Sequence, residues 1–158
     1  MANTQSMCTS FLGQLMTGTH NFGSAPIRAA STADTFKAAL YLTSGSIDAS
    51  TTAYTATGEV TGTNYTAGGV TVTNATAPTS TNSSSTAGVG YWTPSASIVY
   101  STVTLSTSFN AMLMYNSTQS NAAVAVFTFG SQTITAGNFT LTMPTNNTTS
   151  ALLRISTT

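Results

Sequence analysis

Apolar and polar residues alternate with a period of two along much of this chain, the pattern of strands with one buried face. The clearest run is residues 36–42. Phe36, Ala38, Leu40 and Leu42 fall on one side and Lys37, Ala39 and Tyr41 on the other, which predicts a strand whose first side faces the core. Val70 and Val72, set against Thr71 and Thr73, predict another strand over 70–77 that Pro78 ends. Beyond residue 97 the signals crowd together, at 98–105, 109–115, 122–129, 132–135, 138–143 and 151–155. Between them, residues 116–121 (NSTQSN) read as a hairpin turn, and the glycine-containing stretches 129–131 and 136–138 as further tight reversals. One stretch has a different period. Met7, Cys8, Phe11, Leu12, Leu15 and Met16 recur at helical spacing, so residues 4–17 predict a single helix, capped by Asn3 or Thr4 and ended by Gly18.

Many short strands and one helix predict a mainly β fold: an antiparallel sandwich or barrel, jelly-roll-like, with an N-terminal α-helix. The 158 residues suit one domain able to build a core without disulfides. Within it, residues 1–33 supply the helix and a linker at 26–33, and 34–158 supply the β domain. Residues 34–69 organise the rest. Their strand leads into a Thr/Gly-rich excursion at 43–57 with Ile47 and Tyr54 as its large apolar anchors, then a short strand start at Glu59 and Val60. Ala67, Gly68 and Gly69 close the stretch where positive φ costs least. Residues 79–90 (TSTNSSSTAGVG) read as a low-complexity surface loop, followed by Tyr91 and Trp92.

Charge changes this picture most. Only 4% of residues are charged, three basic against three acidic, where an ordinary soluble domain has about 25%. Arg28, Lys37 and Arg154 are too few to follow a phosphate backbone, which argues against a nucleic-acid partner. No run approaches the ~18 apolar residues of a membrane span. The alternation and the 41% hydrophobic content argue for folding rather than disorder. A polar surface with so little charge is weakly defended against association, so contact with neighbours in an assembly is expected. Cys8 is the single cysteine, which forbids an internal disulfide and fits a reducing cytoplasm. MANTQSM carries no basic n-region and no apolar run follows it, so no secretory signal is expected and the Asn-x-Ser/Thr sequons are expected to stay unmodified.

Candidate chemistry is sparse. G-x-S-x-G, H-E-x-x-H and a phosphate-binding loop are all missing from the sequence. Asp48 and Glu59 would be the pair for glycoside hydrolysis, but they lie in a Thr-rich loop without supporting groups and read as solvated or locally bonded. His20 lacks companions for a metal site and reads as a structural histidine bonding the helix end. The Tyr91-Trp92 pair could stack on a sugar or close a core edge or interface. The expectation is a non-enzymatic protein with no cofactor and no metal.

The segment TSGSIDASTTAYTATGEVTGTNYTAGG, following its strand, resembles one that recurs in small virion proteins of tailed bacteriophages. The N-terminal helix, the hairpin at 112–128 and the closing GNFTLTMP and ALLRI stretches are similar too, so the resemblance covers most of the chain apart from 70–105. It implies a capsid cement (decoration) protein, made in the host bacterial cytoplasm and placed on the capsid exterior. Its partners would be the major capsid protein and further copies of itself. A tail-fibre-associated or receptor-binding module is the alternative. No catalytic residue is carried over by the resemblance; Phe11, Tyr54, Tyr65, Tyr91 and Trp92 are the candidate interface residues.

Overall fold

The computed structural model describes residues 3–8, 15, 18–22, 33–73, 77–81 and 88–156. Its strands are β1 (Ser6–Met7), β2 (Phe36–Leu42), β3 (Val70–Thr71), β4 (Thr79–Ser80), β5 (Val89–Trp92), β6 (Ile98–Asn116), β7 (Ala122–Leu141) and β8 (Leu153–Ser156). A five-stranded antiparallel sheet has the order β1-β7-β6-β2-β3, and a three-stranded one the order β4-β5-β8. Neither sheet closes on itself, so the architecture is sandwich-like and not a barrel.

The β6–β7 hairpin is the spine, with strands of 19 and 20 residues joined by the predicted turn at 117–121. The five shorter strands expected over 98–143 are pieces of these two. The stretches 129–131 and 136–138 are irregularities inside β7 and not chain reversals. Register shifts fall between Leu105 and Phe109 and between Phe109 and Ala111, and Thr102 and Ala136 adopt φ of 54° and 48°. Extra residues on one strand are offset by extra residues on the other, so pairing returns to register and the ribbon bends without ending. Near the turn both faces of the hairpin are buried. Further out only one face is, with Ile98, Tyr100, Val103 and Leu105 inside and Val99 outside.

β2 lies against β6 with Phe36 opposite Asn116 and Leu40 opposite Met112. The expectation of one buried face is corrected here: Ala39 and Tyr41 are as inaccessible as Ala38 and Leu40, all at 0%. A central strand covered on both sides reads as a nearly continuous apolar run, and Lys37, half-buried, is its only charged member. The strand predicted over 70–77 reduces to β3, its residues 74–76 lying outside the described ones.

The N-terminal helix is a second correction. Ser6–Met7 is a strand whose residues pair with Val126 and Ala125, and the Cys8 amide donates to the Val124 carbonyl. The β7 edge offers unpaired backbone groups to whatever chain passes, and that pairing overrides the helical spacing. Asn3, expected as a cap, instead donates through Nδ2 to the Leu42 carbonyl and Asn110 Oδ1, while its Oδ1 accepts from the Ile47 amide. Of the predicted helix Leu15 alone is described as helical; Phe11 lies outside the described residues.

Residues 43–69 run as a strap over one face of the large sheet. Thr52 and Tyr54 bond the β7 edge at Ala123 and Asn121, and Gly58 and Val60 bond the β2 edge at Leu42 and Leu40. The outer strands of this β7-β6-β2 unit are about 10 Å apart, a distance residues 54–58 can bridge. The strap ends at Gly69, whose φ of 72° suits glycine and whose Cβ, if present, would stand 1.6 Å from the Ala38 carbonyl oxygen. Gly69→Ala is therefore expected to destabilise the fold by about 3 kcal/mol or more. Gly130→Ala, with the flexible end of Gln132 at 4.0 Å as its nearest neighbour, is expected to stay within about 0.5 kcal/mol of the parent. Urea unfolding monitored by circular dichroism distinguishes the two.

Candidate functional site

The polar centre of the strap is Glu59, 7% exposed. Its Oε1 accepts from the Tyr65 hydroxyl and the Gly68 amide, both at 2.7 Å, and its Oε2 accepts from the Tyr54 hydroxyl at 2.6 Å. The tyrosines are held in turn. Tyr54 stacks on Tyr115 at 4.8 Å, and Tyr65 on Tyr100 at 5.9 Å. The Tyr65 hydroxyl accepts from the Leu40 amide, while the hydroxyls of Tyr41, Tyr100 and Tyr115 donate to the carbonyls of Thr55, Ala38 and Gly68. Burial pushes all five phenols above their ordinary pKa, Tyr54 to about 12, with the negative charge of Glu59 acting in the same direction. A carboxylate that accepts from three donors and is walled by neutral hydroxyls acts as a clasp between the ends of the strap.

On the opposite face of the sheet His20, Asn116 and Asp34 form a second polar node beside the hairpin turn. Asn116 Oδ1 accepts from the Thr118 and Gln119 amides, and its Nδ2 donates to Asp34 Oδ2 at 2.8 Å and contacts His20 Nδ1 at 3.1 Å. With both amide groups so committed, His20 Nδ1 must accept, which places the ring proton on Nε2; this tautomer is assigned from the network. Asp34 Oδ2 also takes the Asn21 amide, so the node fastens residues 20–21 to the base of β2 and the turn. Beside it Phe22 and Phe36 stack at 4.6 Å, and Trp92 of the small sheet lies 4.6 Å from Phe22. The two sheets are joined through these rings.

The candidate residues from the sequence are dispersed. Tyr54 and Tyr65 meet at Glu59, half-buried. Trp92 is 2% exposed and belongs to the core, which leaves Tyr91 as the accessible half of that pair. Asp48 bonds locally, its Oδ1 accepting from the Ser50 amide and hydroxyl, and these bonds hold its pKa down. Glu59 and Asp48 thus have separate partners. Cys8 is fully buried, and desolvation pushes its thiol up to about 11. Among the described residues no group of three or more His, Cys, Asp and Glu side chains is placed to hold a metal ion, and no helix is long and apolar enough to cross a membrane. No sequence pattern announces the Asn116 node, since an Asn in an NST turn reads as turn chemistry alone.

Among the described residues two surface depressions stand out. One, about 180 Å³, is apolar and lies on the small sheet between Leu15, Phe22, Trp92, Leu153 and Ile155, with Gly90 at its floor. The other, about 320 Å³, is polar and lies between the loop at 93–97 and Met143, Pro144 and Asn146. No family model, curated protein or solved structure matches this chain.

Removing the clasp acceptor strands two hydroxyls and an amide, whereas glutamine keeps one acceptor and offers its NH2 to a tyrosine oxygen. Glu59→Ala is expected to cost about 3 kcal/mol and Glu59→Gln about 1 kcal/mol, read from chemical unfolding; equal losses would contradict the clasp. The phenols supply a second check. A tyrosine that holds its proton more tightly when folded gives its full stabilisation below the unfolded value of about 10. That stabilisation is lost as pH rises toward the folded value. The melting temperature is expected to fall between pH 10 and 12, and phenolate absorbance at 295 nm from these five tyrosines to appear only together with loss of the β circular-dichroism signal.

Proposed function

We propose that this chain is a non-enzymatic structural protein of a tailed-bacteriophage virion, a capsid cement protein that bridges and stabilises major capsid protein subunits. It would be made in the bacterial cytoplasm and displayed on the capsid exterior, in contact with the major capsid protein and with further copies of itself. The observation that carries this reading is the use to which the fold puts its most distinctive segment. Tyr54, Glu59, Tyr65, Gly68 and Gly69, the residues that mark the resemblance, build the clasp and the end of the strap. The shared segment therefore specifies a scaffold, and a protein whose recognisable feature is a braced β scaffold suits a structural role.

Three further features support the reading. The three acidic side chains are engaged in bonds within the fold. The surface is polar with little charge, which avoids the desolvation cost of burying ions at contacts. Among the described residues no strand pairs with the outer side of β8 or with β7 beyond its short pairing with β1, and such edges offer backbone groups to neighbours. Affinity would then arise from many weak contacts repeated over a lattice. The receptor-binding alternative rests on the Tyr91-Trp92 pair and the loop at 79–90, and the burial of Trp92 removes half of that pair from the surface.

Quantitative mass spectrometry of purified particles is expected to place this protein near the copy number of the major capsid protein, and particles lacking it to lose their DNA at lower temperature. A few copies per particle, together with unchanged heat stability and infectivity lost at adsorption, would overturn the proposal in favour of the receptor-binding module.

A further inference from the structure

Tyr54 and Tyr115 lie face to face where the strap crosses the large sheet. Their ring centroids are 4.8 Å apart and their planes 22° from parallel, which makes them the closer of the two stacked tyrosine pairs among the described residues; Tyr65 and Tyr100 are 5.9 Å apart. Both hydroxyls of the closer pair reach the same spot. Tyr115 donates to the Gly68 carbonyl at 2.8 Å, the Gly68 amide donates to Glu59 Oε1, and Tyr54 donates to Glu59 Oε2 at 2.6 Å. The rings therefore stack with their hydroxyl ends together, which puts the carbons ortho to the two hydroxyls at the same end of the stack. Tyr115 is 3% exposed while Tyr54 is half-buried, so of the two rings Tyr54 is the one that solvent reaches.

We propose that Tyr54 and Tyr115 are a covalent cross-linking site, at which a peroxide oxidant joins the two rings ortho to their hydroxyls as dityrosine and so ties the strap to β6. Oxidation begins at Tyr54. One electron leaves its ring for the oxidant while its hydroxyl proton moves across the 2.6 Å bond to Glu59 Oε2, within the reach that general-base transfer requires. Without that acceptor the ring would be left as a cation in poorly solvated surroundings, which is costly. Tyr115 then gives up one electron and its hydroxyl proton passes to water. The two phenoxyl radicals, whose unpaired spin resides partly on the ortho carbons, join there by a carbon–carbon bond. As the rings regain aromaticity, the two displaced ring hydrogens end on the phenol oxygens. In sum two electrons and two protons leave the chain, and the O–O bond of one peroxide breaks to take up both electrons. Because the rings are already stacked, coupling is a step between held partners and outpaces encounters between chains. The inference rests on the clasp and stands apart from the capsid reading.

The full chain, at low concentration, is treated with photo-oxidised tris(bipyridyl)ruthenium and persulfate, a peroxide that becomes two sulfates on taking two electrons. The expected product is a monomer with dityrosine fluorescence, lighter than the parent by two hydrogen atoms, whose peptic digest holds Tyr54 and Tyr115 in one linked pair of peptides. Its yield is expected not to change on dilution. Tyr54→Phe and Tyr115→Phe, which keep the rings, are each expected to abolish it, and Tyr91→Phe to leave it unchanged; circular dichroism checks that each variant is folded. Glu59→Gln, which cannot take the proton, is expected to slow the reaction about tenfold or more. Peptide mapping of the parent chain decides the site even where a variant fails to fold. No dityrosine, linkage through another tyrosine pair, cross-links only between chains, or a rate indifferent to Glu59→Gln would each overturn the proposal.

Discussion

The buried carboxylate of Glu59 governs how this chain can fold. Taking an ion out of water costs several kcal/mol, and each hydrogen bond to a charged acceptor returns about 1.5–3 kcal/mol, so Glu59 is tolerated inside only with all three of its donors in place. Those donors come from three points of one loop, Tyr54, Tyr65 and Gly68. The loop is polar and contributes few apolar side chains, while ordering it costs about 1–2 kcal/mol per residue in backbone entropy. It lies down as a strap because the clasp closes it upon itself and its backbone pairs with the edges of β7 and β2. The strap in turn covers the second face of β2. Tyr41, Ala39 and Leu113 are buried because of it, and the five tyrosines keep their protons because of the dry, negatively charged surroundings it creates.

The elements legible in the sequence were those whose pattern is local. The strand at 36–42, the NSTQSN turn and the β-rich class all follow from residues that neighbour one another, and the structure has them. What local pattern could not express was competition for backbone partners. Met7, Cys8 and Leu15 have helical spacing, yet the free β7 edge captures Ser6 and Met7 as a strand. The stretches 129–131 and 136–138 carry the chemistry of turns in Gly130, Gly137 and Asn138, yet β6 opposite them is already aligned, and inserting bulges costs less than ending a long ladder. The second face of β2 reads as exposed because it carries a lysine and an alanine; the cover for that face lies up to thirty residues further on and has no periodicity to announce it.

Glu59 shows the same limit at the level of chemistry. In a Thr-rich loop a carboxylate reads as solvated, and its tyrosine partners, five and six residues away on either side, match neither helical nor strand spacing. Which residues this segment serves is visible only in three dimensions. Asn116 is similar. Its amide is saturated by two turn amides, a carboxylate and an imidazole, and only the first two are sequence neighbours.

The economy of charge gives these observations a common consequence. Asp34, Asp48 and Glu59 are the three acidic residues of the chain, and each accepts bonds from N–H or O–H groups of its own fold. Three acidic charges against three basic ones make a weak and balanced field for steering a partner from a distance, and of the basic residues Lys37 is half-buried while Arg154 is exposed. Long-range attraction, which salt would screen over about 8–10 Å, therefore has little to act through. Recognition by such a surface must be short-range: backbone edges, apolar side chains and shape, with each contact weak. Weak short-range contacts give durable attachment only when many copies are held by one lattice, where each bound neighbour raises the effective concentration of the next. A surface of this kind suits repetition, because uncharged copies can crowd together without the mutual repulsion that a strongly charged protein would accumulate.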